Sequence, residues 1–88
     1  MKILFLGDVV GNSGCEAIKK NLSKILIEKE INFVVINGEN SFNSGTGISE
    51  NITNELISCG VDVITTGNHV WDQKETYDFI KNEKRLLR

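Results

Sequence analysis

The stretch NFVVI at residues 32–36 decides the fold, because four of its five residues are apolar and three of those are β-branched. Two similar runs stand on either side of it, KILFL at 2–6 and VDVIT at 61–65. Runs of this length are too short for a helix, and their composition is typical of strands that are covered on both faces of a sheet. The sequence therefore predicts three buried strands.

Helix-like segments lie between and after these strands. SGCE at 13–16 matches a capping box, and apolar residues then recur at spacings of three and four to about residue 29. A second helix is predicted to begin at Ser49 and to stop at Gly60, and a third to begin near Asp72. The order β-α-β-α-β-α predicts an α/β fold with a parallel sheet and right-handed crossovers.

The composition is that of an ordinary globular protein. The chain has 88 residues, of which 40% are hydrophobic and 25% charged, and a formal net charge of -2. Neither sign of charge dominates, so we expect no stable nucleic-acid complex and no binding to membranes. The first apolar run is too short for a signal peptide or a membrane span, and Cys15 and Cys59 fit free thiols in a reducing compartment. We expect one unit over residues 1–88 and a cytoplasmic location.

Polar residues led by a glycine follow each predicted strand. In a parallel sheet these three sets lie at the carboxyl edge, where ligands bind, and each glycine is expected to let the backbone turn sharply. The oxygen-bearing side chains suit Mg²⁺, Mn²⁺ or Fe²⁺, and a cation would relieve repulsion between the two carboxylates. The sets are Gly7-Asp8, Gly38-Glu39-Asn40 and Gly67-Asn68-His69.

Each set also has a structural interpretation when it is taken alone. Asp8 is in a position typical of a helix cap or turn residue, and Glu39-Asn40 fits a solvent-exposed loop. His69 is the only histidine of the chain, and a single histidine in a turn is more often structural than catalytic. The joint occurrence of the three sets at one sheet edge is what favours an active site.

The motifs ILFLGDVVG at 3–11, VVINGENS at 34–41 and DVITTGNHVWD at 62–72 resemble the first three motifs of the YmdB-like metallophosphoesterases. This family is a branch of the calcineurin-like superfamily that hydrolyses cyclic nucleotides such as 2',3'-cyclic AMP. The resemblance runs over essentially the whole chain. It implies that the chain is the N-terminal part of a metallophosphoesterase-type α/β sandwich, acting on a small phosphoester or cyclic nucleotide.

The resemblance also implies a role for each motif residue. Asp8 would bind the first metal ion, Glu39 would bridge both ions and Asn40 would return to the first. Asn68 would bind the second ion, and His69 would protonate the leaving oxygen. The two metal ions would be iron, with manganese as an accepted substitute. Two such cations activate water for in-line attack and offset charge on the phosphoryl oxygens.

Two departures from the family pattern suggest an incomplete site. The broader superfamily begins with Asp-x-His, whereas this chain has Asp8-Val9-Val10, and the later His-x-His pair that completes the metal shell is missing. We therefore expect a fragment that is completed by a C-terminal portion or by homo-oligomerisation. The alternative is a catalytically inactive fragment that acts only by association.

A Rossmann-type dinucleotide-binding module is a second alternative. Gly11 and Gly14 follow the first strand, and Glu39 ends the second near the position of a ribose-binding acid. Against it, Val9 replaces the first glycine of the fingerprint, and Asp8 would place a negative charge near a pyrophosphate.

Overall fold

Parallel strands form the centre of the part of the chain that is described, residues 1–42, 45, 47–67 and 79–87 of a computed structural model. Within these residues the sheet has four strands in the order β1-β2-β3-β4, and every neighbouring pair is parallel. The predicted α/β class and parallel sheet are confirmed. The elements are β1 (Ile3–Leu6), α1 (Gly11–Glu28), β2 (Phe33–Asn37), α2 (Glu50–Ser58), β3 (Val63–Thr65) and β4 (Leu86–Leu87).

Helix α1 begins two residues before the predicted capping box, so that prediction was wrong. Val10 is the N-cap residue, and no side chain caps the helix. The neighbouring loop supplies one acceptor instead: the amide of Gly11, the first helical residue, donates to the Asn40 carbonyl oxygen at 2.9 Å, and this amide has no partner within the helix. Gly11 has a φ of 58°, a conformation that glycine adopts without strain.

Helix α2 begins and ends as predicted. The Ser49 hydroxyl accepts a hydrogen bond from the Ile52 amide at 3.2 Å, which is the N-cap contact expected of serine. The helix ends at Ser58, and Gly60 follows with a φ of 117°. The third predicted helix, from Asp72, lies largely in 68–78, outside the described residues. Among the described helices, none combines the length and the apolar character needed to cross a membrane.

Both helices pack on one face of the sheet. The ion pair between Lys19 Nζ and Glu55 Oε2, at 2.8 Å, joins α1 to α2 on the outer side of this layer. The core between helices and sheet contains Cys15, Ile18, Leu22, Val34, Ile36, Ile48, Leu56, Val61, Ile64 and Leu86, all of them buried.

The opposite face of the sheet is open, so the prediction that the strands are covered on both faces was wrong for the described residues. Ile3 and Phe5 of β1 are 62% and 61% exposed, and Leu87 is 50% exposed. The cause is topological. Right-handed crossovers between successive neighbouring strands leave every connecting helix on the same side of the sheet.

The strand β4 was not predicted. Leu86 pairs with Ile64 and is buried. A strand of two residues is too short to produce an alternating pattern that can be recognised in a sequence.

Candidate functional site

The loops that follow β1, β2 and β3 meet at the carboxyl edge of the sheet, as the sequence predicted. The Val9 amide donates to the Asn37 carbonyl oxygen at 3.0 Å, which joins the first loop to the end of β2. The Gly38 amide donates to the Thr65 carbonyl oxygen at 2.9 Å, which joins the second loop to the end of β3. These backbone contacts hold the first two loops at the carboxyl edge, where the third loop begins.

Asp8 and Asn40 are brought together by this arrangement. Asn40 Nδ2 donates a hydrogen bond to Asp8 Oδ1 at 3.0 Å, although the two residues are 32 positions apart in the sequence. Asp8 is exposed and Asn40 is half-buried. Asp8 also has a φ of 37°, a conformation that aspartate and asparagine adopt more readily than other side-chain-bearing residues.

The side chain of Glu39 lies next to the start of the third loop. A Cβ atom added to Gly67 would be 2.9 Å from Glu39 Cδ and 3.1 Å from Oε1, so the carboxyl group occupies the space beside Gly67. The main chain of Glu39 is held by the Gly47 amide, which donates to the Glu39 carbonyl oxygen at 2.7 Å. The carboxylate is therefore placed at the start of the third glycine-led set.

The glycines that lead the three sets act differently from the prediction. None of Gly7, Gly38 and Gly67 has a positive φ, so a special backbone turn is not the reason for glycine at these positions. Gly38 leaves no room for a side chain, because an added Cβ would lie 2.8 Å from Ile64 Cγ2 and 3.3 Å from Ile48 Cδ1. Close contact, and not conformational freedom, explains Gly38 and Gly67.

Ser41 is a residue that the sequence analysis missed. It is fully buried, and its hydroxyl donates to the Gly38 carbonyl oxygen at 2.7 Å, which closes the turn that carries Glu39 and Asn40. The Cys15 thiol donates to the Ser41 carbonyl oxygen at 3.5 Å and so connects α1 to this turn. Glycine, asparagine and serine dominate turns, so the sequence from Gly38 to Ser41 indicates a turn but does not show which residue closes it.

The described part of the candidate donor set has oxygen-bearing side chains. Asp8, Glu39 and Asn40 carry carboxylate and amide oxygens, which suit hard divalent cations. In the described ranges no group of three or more His, Cys, Asp or Glu residues could hold a metal ion. Asn40 presents its amide nitrogen to Asp8, so binding of one cation by both residues requires the amide to turn its oxygen inward. The three residues fit part of a metal shell.

The remaining predicted site residues, Asn68 and His69, lie outside the described residues. They follow Gly67 directly in the sequence, and Gly67 adjoins the Glu39 carboxylate. A groove of about 710 Å³ lies between the two helices and is lined by Lys19, Phe42 and Glu55 among others. Its lining includes none of Asp8, Glu39 and Asn40, so it is separate from the candidate site.

Comparison with known proteins places this arrangement in a family. The 2',3'-cyclic-nucleotide 2'-phosphodiesterase of Bacillus subtilis (strain 168) is 46% identical over 88 residues, which are 100% of this chain and 33% of the relative. The crystal structure of a phosphatase from Mycoplasma pneumoniae matches with a TM-score of 0.93 and 39% identity, over 100% of this chain and 31% of that one. The crystal structure of a hypothetical protein from Thermus thermophilus matches with a TM-score of 0.88 and 35% identity, covering 100% and 33%.

The chain spans about a third of the length of the relatives that it matches. The profile of the YmdB-like proteins matches residues 4–88, which is nearly all of it. With the loop geometry described above, this match shows that the chain belongs to the YmdB-like protein family.

Proposed function

We propose that this chain is part of a metal-dependent phosphodiesterase that hydrolyses phosphoesters, with 2',3'-cyclic nucleotides as the preferred substrates. The observation that carries the proposal is the hydrogen bond from Asn40 to Asp8 between the first two loops, with the Glu39 carboxylate placed beside Gly67 at the start of the third. The name of the Bacillus relative supports the substrate class, and the phosphatase name of the Mycoplasma structure supports phosphoester chemistry more broadly.

In this proposal the loop residues bind two divalent cations, iron or manganese. Asp8, Glu39 and Asn40 contribute oxygen ligands from the first two loops, and Asn68 contributes one from the third. When bound, the cations supply Lewis-acid activation of water and neutralise charge on the phosphoryl group. His69 donates a proton to the departing alkoxide, because imidazole is the side chain best suited to exchange protons around neutral pH.

Two of the proposed ligands are neutral, and this has a consequence for substrate binding. Asn40 and Asn68 add oxygen donors without adding negative charge, whereas carboxylates at the same positions would repel an anionic phosphodiester. The same choice leaves more of the cation charge uncompensated and available to the substrate. We place this activity in the cytoplasm, in keeping with the two free thiols of the chain.

We also propose that the open face of the sheet packs against polypeptide equivalent to the remaining two-thirds of the relatives. This surface, called the open face below, is formed by Ile3, Phe5, Phe33, Val35, Val63 and Leu87. The relatives are about three times as long as this chain, so about two-thirds of each relative has no counterpart in these 88 residues. That polypeptide would complete both the hydrophobic core and the ligand set.

A chimaera tests the proposed activity. These 88 residues replace the aligned third of the Bacillus relative, and hydrolysis of 2',3'-cyclic AMP is measured with Mn²⁺ present. We expect the chimaera to be active and His69→Ala to lower kcat by about 10²- to 10⁴-fold, which is the usual loss on removing a general acid. Manganese content, measured on the same samples, is expected to stay unchanged in His69→Ala.

A second variant separates the two roles. Asp8→Ala is expected to lower both the manganese content and the activity of the chimaera, because it removes a proposed ligand. An inactive chimaera with a native fold would contradict the proposed activity and favour a fragment that acts only by association. Full activity in His69→Ala would contradict the proton-donor role alone.

A further inference from the structure

Gly67 stands directly beside the Glu39 carboxylate. A Cβ atom at this position would lie 2.9 Å from Glu39 Cδ, below the 3.0 Å that real Cβ atoms essentially never cross, and would also clash with Oε2. We infer that Gly67 is a positioning residue for the candidate site, because its missing side chain keeps open the space that the Glu39 carboxylate occupies. The part of this inference that concerns metal binding rests on the proposed function.

The backbone conformation of Gly67 isolates this role. Its φ is not in the positive region, so an alanine can adopt the same main-chain conformation without strain. The effect of an alanine therefore comes from the space that its methyl group takes. This differs from Gly60, where a φ of 117° would make any side chain strained regardless of its neighbours.

The group that must move is the Glu39 carboxylate. It is the end of a flexible side chain, whereas the main chain around it is held by the bond from the Gly47 amide at 2.7 Å and by the bond from Gly38 to Thr65 at 2.9 Å. An alanine at position 67 is therefore accommodated by displacement of the Glu39 side chain. Any ligand that needs the carboxylate in its present place is then bound more weakly.

The chain offers a matched control. Gly7 also leads one of the three sets, immediately before Asp8, but a Cβ at this position would meet nothing within 4 Å. Gly7→Ala and Gly67→Ala make the same chemical change and the same change in the flexibility of the unfolded chain. They differ in that only the second methyl group meets a carboxylate.

The experiment uses the 88-residue chain with ¹³C-labelled glutamate. The chemical shift of Glu39 Cδ is measured in this chain without metal, and Mn²⁺ affinity is measured by calorimetric titration of the same variants in the chimaera with the Bacillus relative. We expect the Glu39 signal to move in Gly67→Ala and to stay in place in Gly7→Ala. We expect Gly67→Ala to bind Mn²⁺ about 10- to 100-fold more weakly, as when the support of a metal ligand is lost, and Gly7→Ala to bind it as the unsubstituted chimaera does.

A double-mutant cycle checks that the effect passes through Glu39. In a Glu39→Ala background, Gly67→Ala is expected to cause no further loss of Mn²⁺ affinity, because the displaced group is gone. An additional loss there, or an unmoved Glu39 signal in Gly67→Ala, would overturn the inference. Failure of the unsubstituted chimaera to bind Mn²⁺ would overturn the metal site of the proposed function, while the metal-free chemical shift would still decide the positioning role.

Discussion

Asp8 shows how a single residue at the site is held in an uncommon conformation. A φ of 37° in a residue with a side chain carries a strain of about 1 to 3 kcal/mol, which persists only where the surroundings impose it. Here the bonds from Asn40 Nδ2 to Asp8, from the Val9 amide to Asn37 and from the Gly11 amide to Asn40 impose it together. Local strain therefore coincides with the aspartate that the sequence motif singled out.

The Cys15 thiol makes stability depend on pH in the alkaline range. Burial raises the pKa of Cys15 above its ordinary value of 9.0, partly opposed by the positive charge of Lys19. Because the pKa is higher in the folded state, the stabilisation is complete below about pH 9 and is lost as the pH rises through the folded-state pKa. We expect Cys15→Ala to lose less unfolding free energy than the unsubstituted chain between about pH 8 and pH 11 in urea titrations.

Cys59→Ala provides the comparison for this experiment. Cys59 is only half-buried, and its removal leaves the Cys15 hydrogen bond to Ser41 intact. The variant should therefore follow the pH dependence of the unsubstituted chain. Parallel curves for Cys15→Ala and the unsubstituted chain would show that the buried thiol contributes nothing to the alkaline loss.

The site residues differ in how far the sequence could predict them. Asp8, Glu39 and Asn40 follow apolar runs, so their place at the sheet edge follows from the order of strands alone. The space-keeping role of Gly67 could not be predicted, because it depends on a side chain 28 positions earlier that reaches it only after β2 and β3 pair. Local patterns carry no information about such contacts between loops.

The helices repeat this contrast at the scale of elements. The sequence predicts a serine cap for each helix, Ser13 for α1 and Ser49 for α2. Only Ser49 caps its helix, because its hydroxyl accepts a hydrogen bond from the Ile52 amide at 3.2 Å. Ser13 lies within α1, and the first amide of that helix, at Gly11, donates to the Asn40 carbonyl oxygen of the neighbouring loop. The capping pattern describes a helix end correctly only when no other loop supplies an acceptor.

This difference gives a prediction for helix stability. Ser49→Ala is expected to lower the free energy of unfolding by about 1 kcal/mol, the usual cost of losing an N-cap. Ser13→Ala should be neutral or slightly stabilising, because alanine is the better residue inside a helix. Urea titrations followed by circular dichroism measure both variants. Equal losses in the two would contradict the assignment of Ser49 as the only one of these serines that caps a helix.

The sheet shows a limit of sequence prediction at the same scale. The apolar runs correctly predicted β1, β2 and β3, yet continuous hydrophobicity was interpreted as cover on both faces. The described structure covers only the face of Leu4, Val34 and Ile64. An apolar run in a sequence does not show what covers each of its faces. Only the structure shows which face of the sheet is covered.

At the scale of the whole molecule, the open face is the main apolar surface that the described residues leave uncovered. Residues opposite one another in the register, Ile3 with Phe33 and Phe5 with Val35, make it continuous across the strands. Contiguous apolar surface of this kind marks an interaction site or an aggregation risk in a soluble protein. Ile27 is more exposed still, at 78%, but it stands on the outer surface of α1, away from this face.

Ile3 and Ile27 therefore form a matched pair for testing the open face. We expect the isolated chain to self-associate through this face when no other polypeptide covers it, as measured by light scattering during size-exclusion chromatography. Ile3→Thr should weaken association at least about 10-fold, because burial of an isoleucine side chain contributes about 1.5 to 3 kcal/mol. Threonine is well tolerated in a strand, so the sheet should be retained.

Ile27→Thr makes the same chemical change on the helix surface and should leave the association unchanged. The open face is also proposed to pack against the part of the relatives that this chain does not span. The separately expressed C-terminal two-thirds of the Bacillus relative should therefore disrupt the self-association of the unsubstituted chain. It should do so less effectively with Ile3→Thr. A strictly monomeric chain at high concentration, or equal effects of Ile3→Thr and Ile27→Thr, would contradict self-association through the open face.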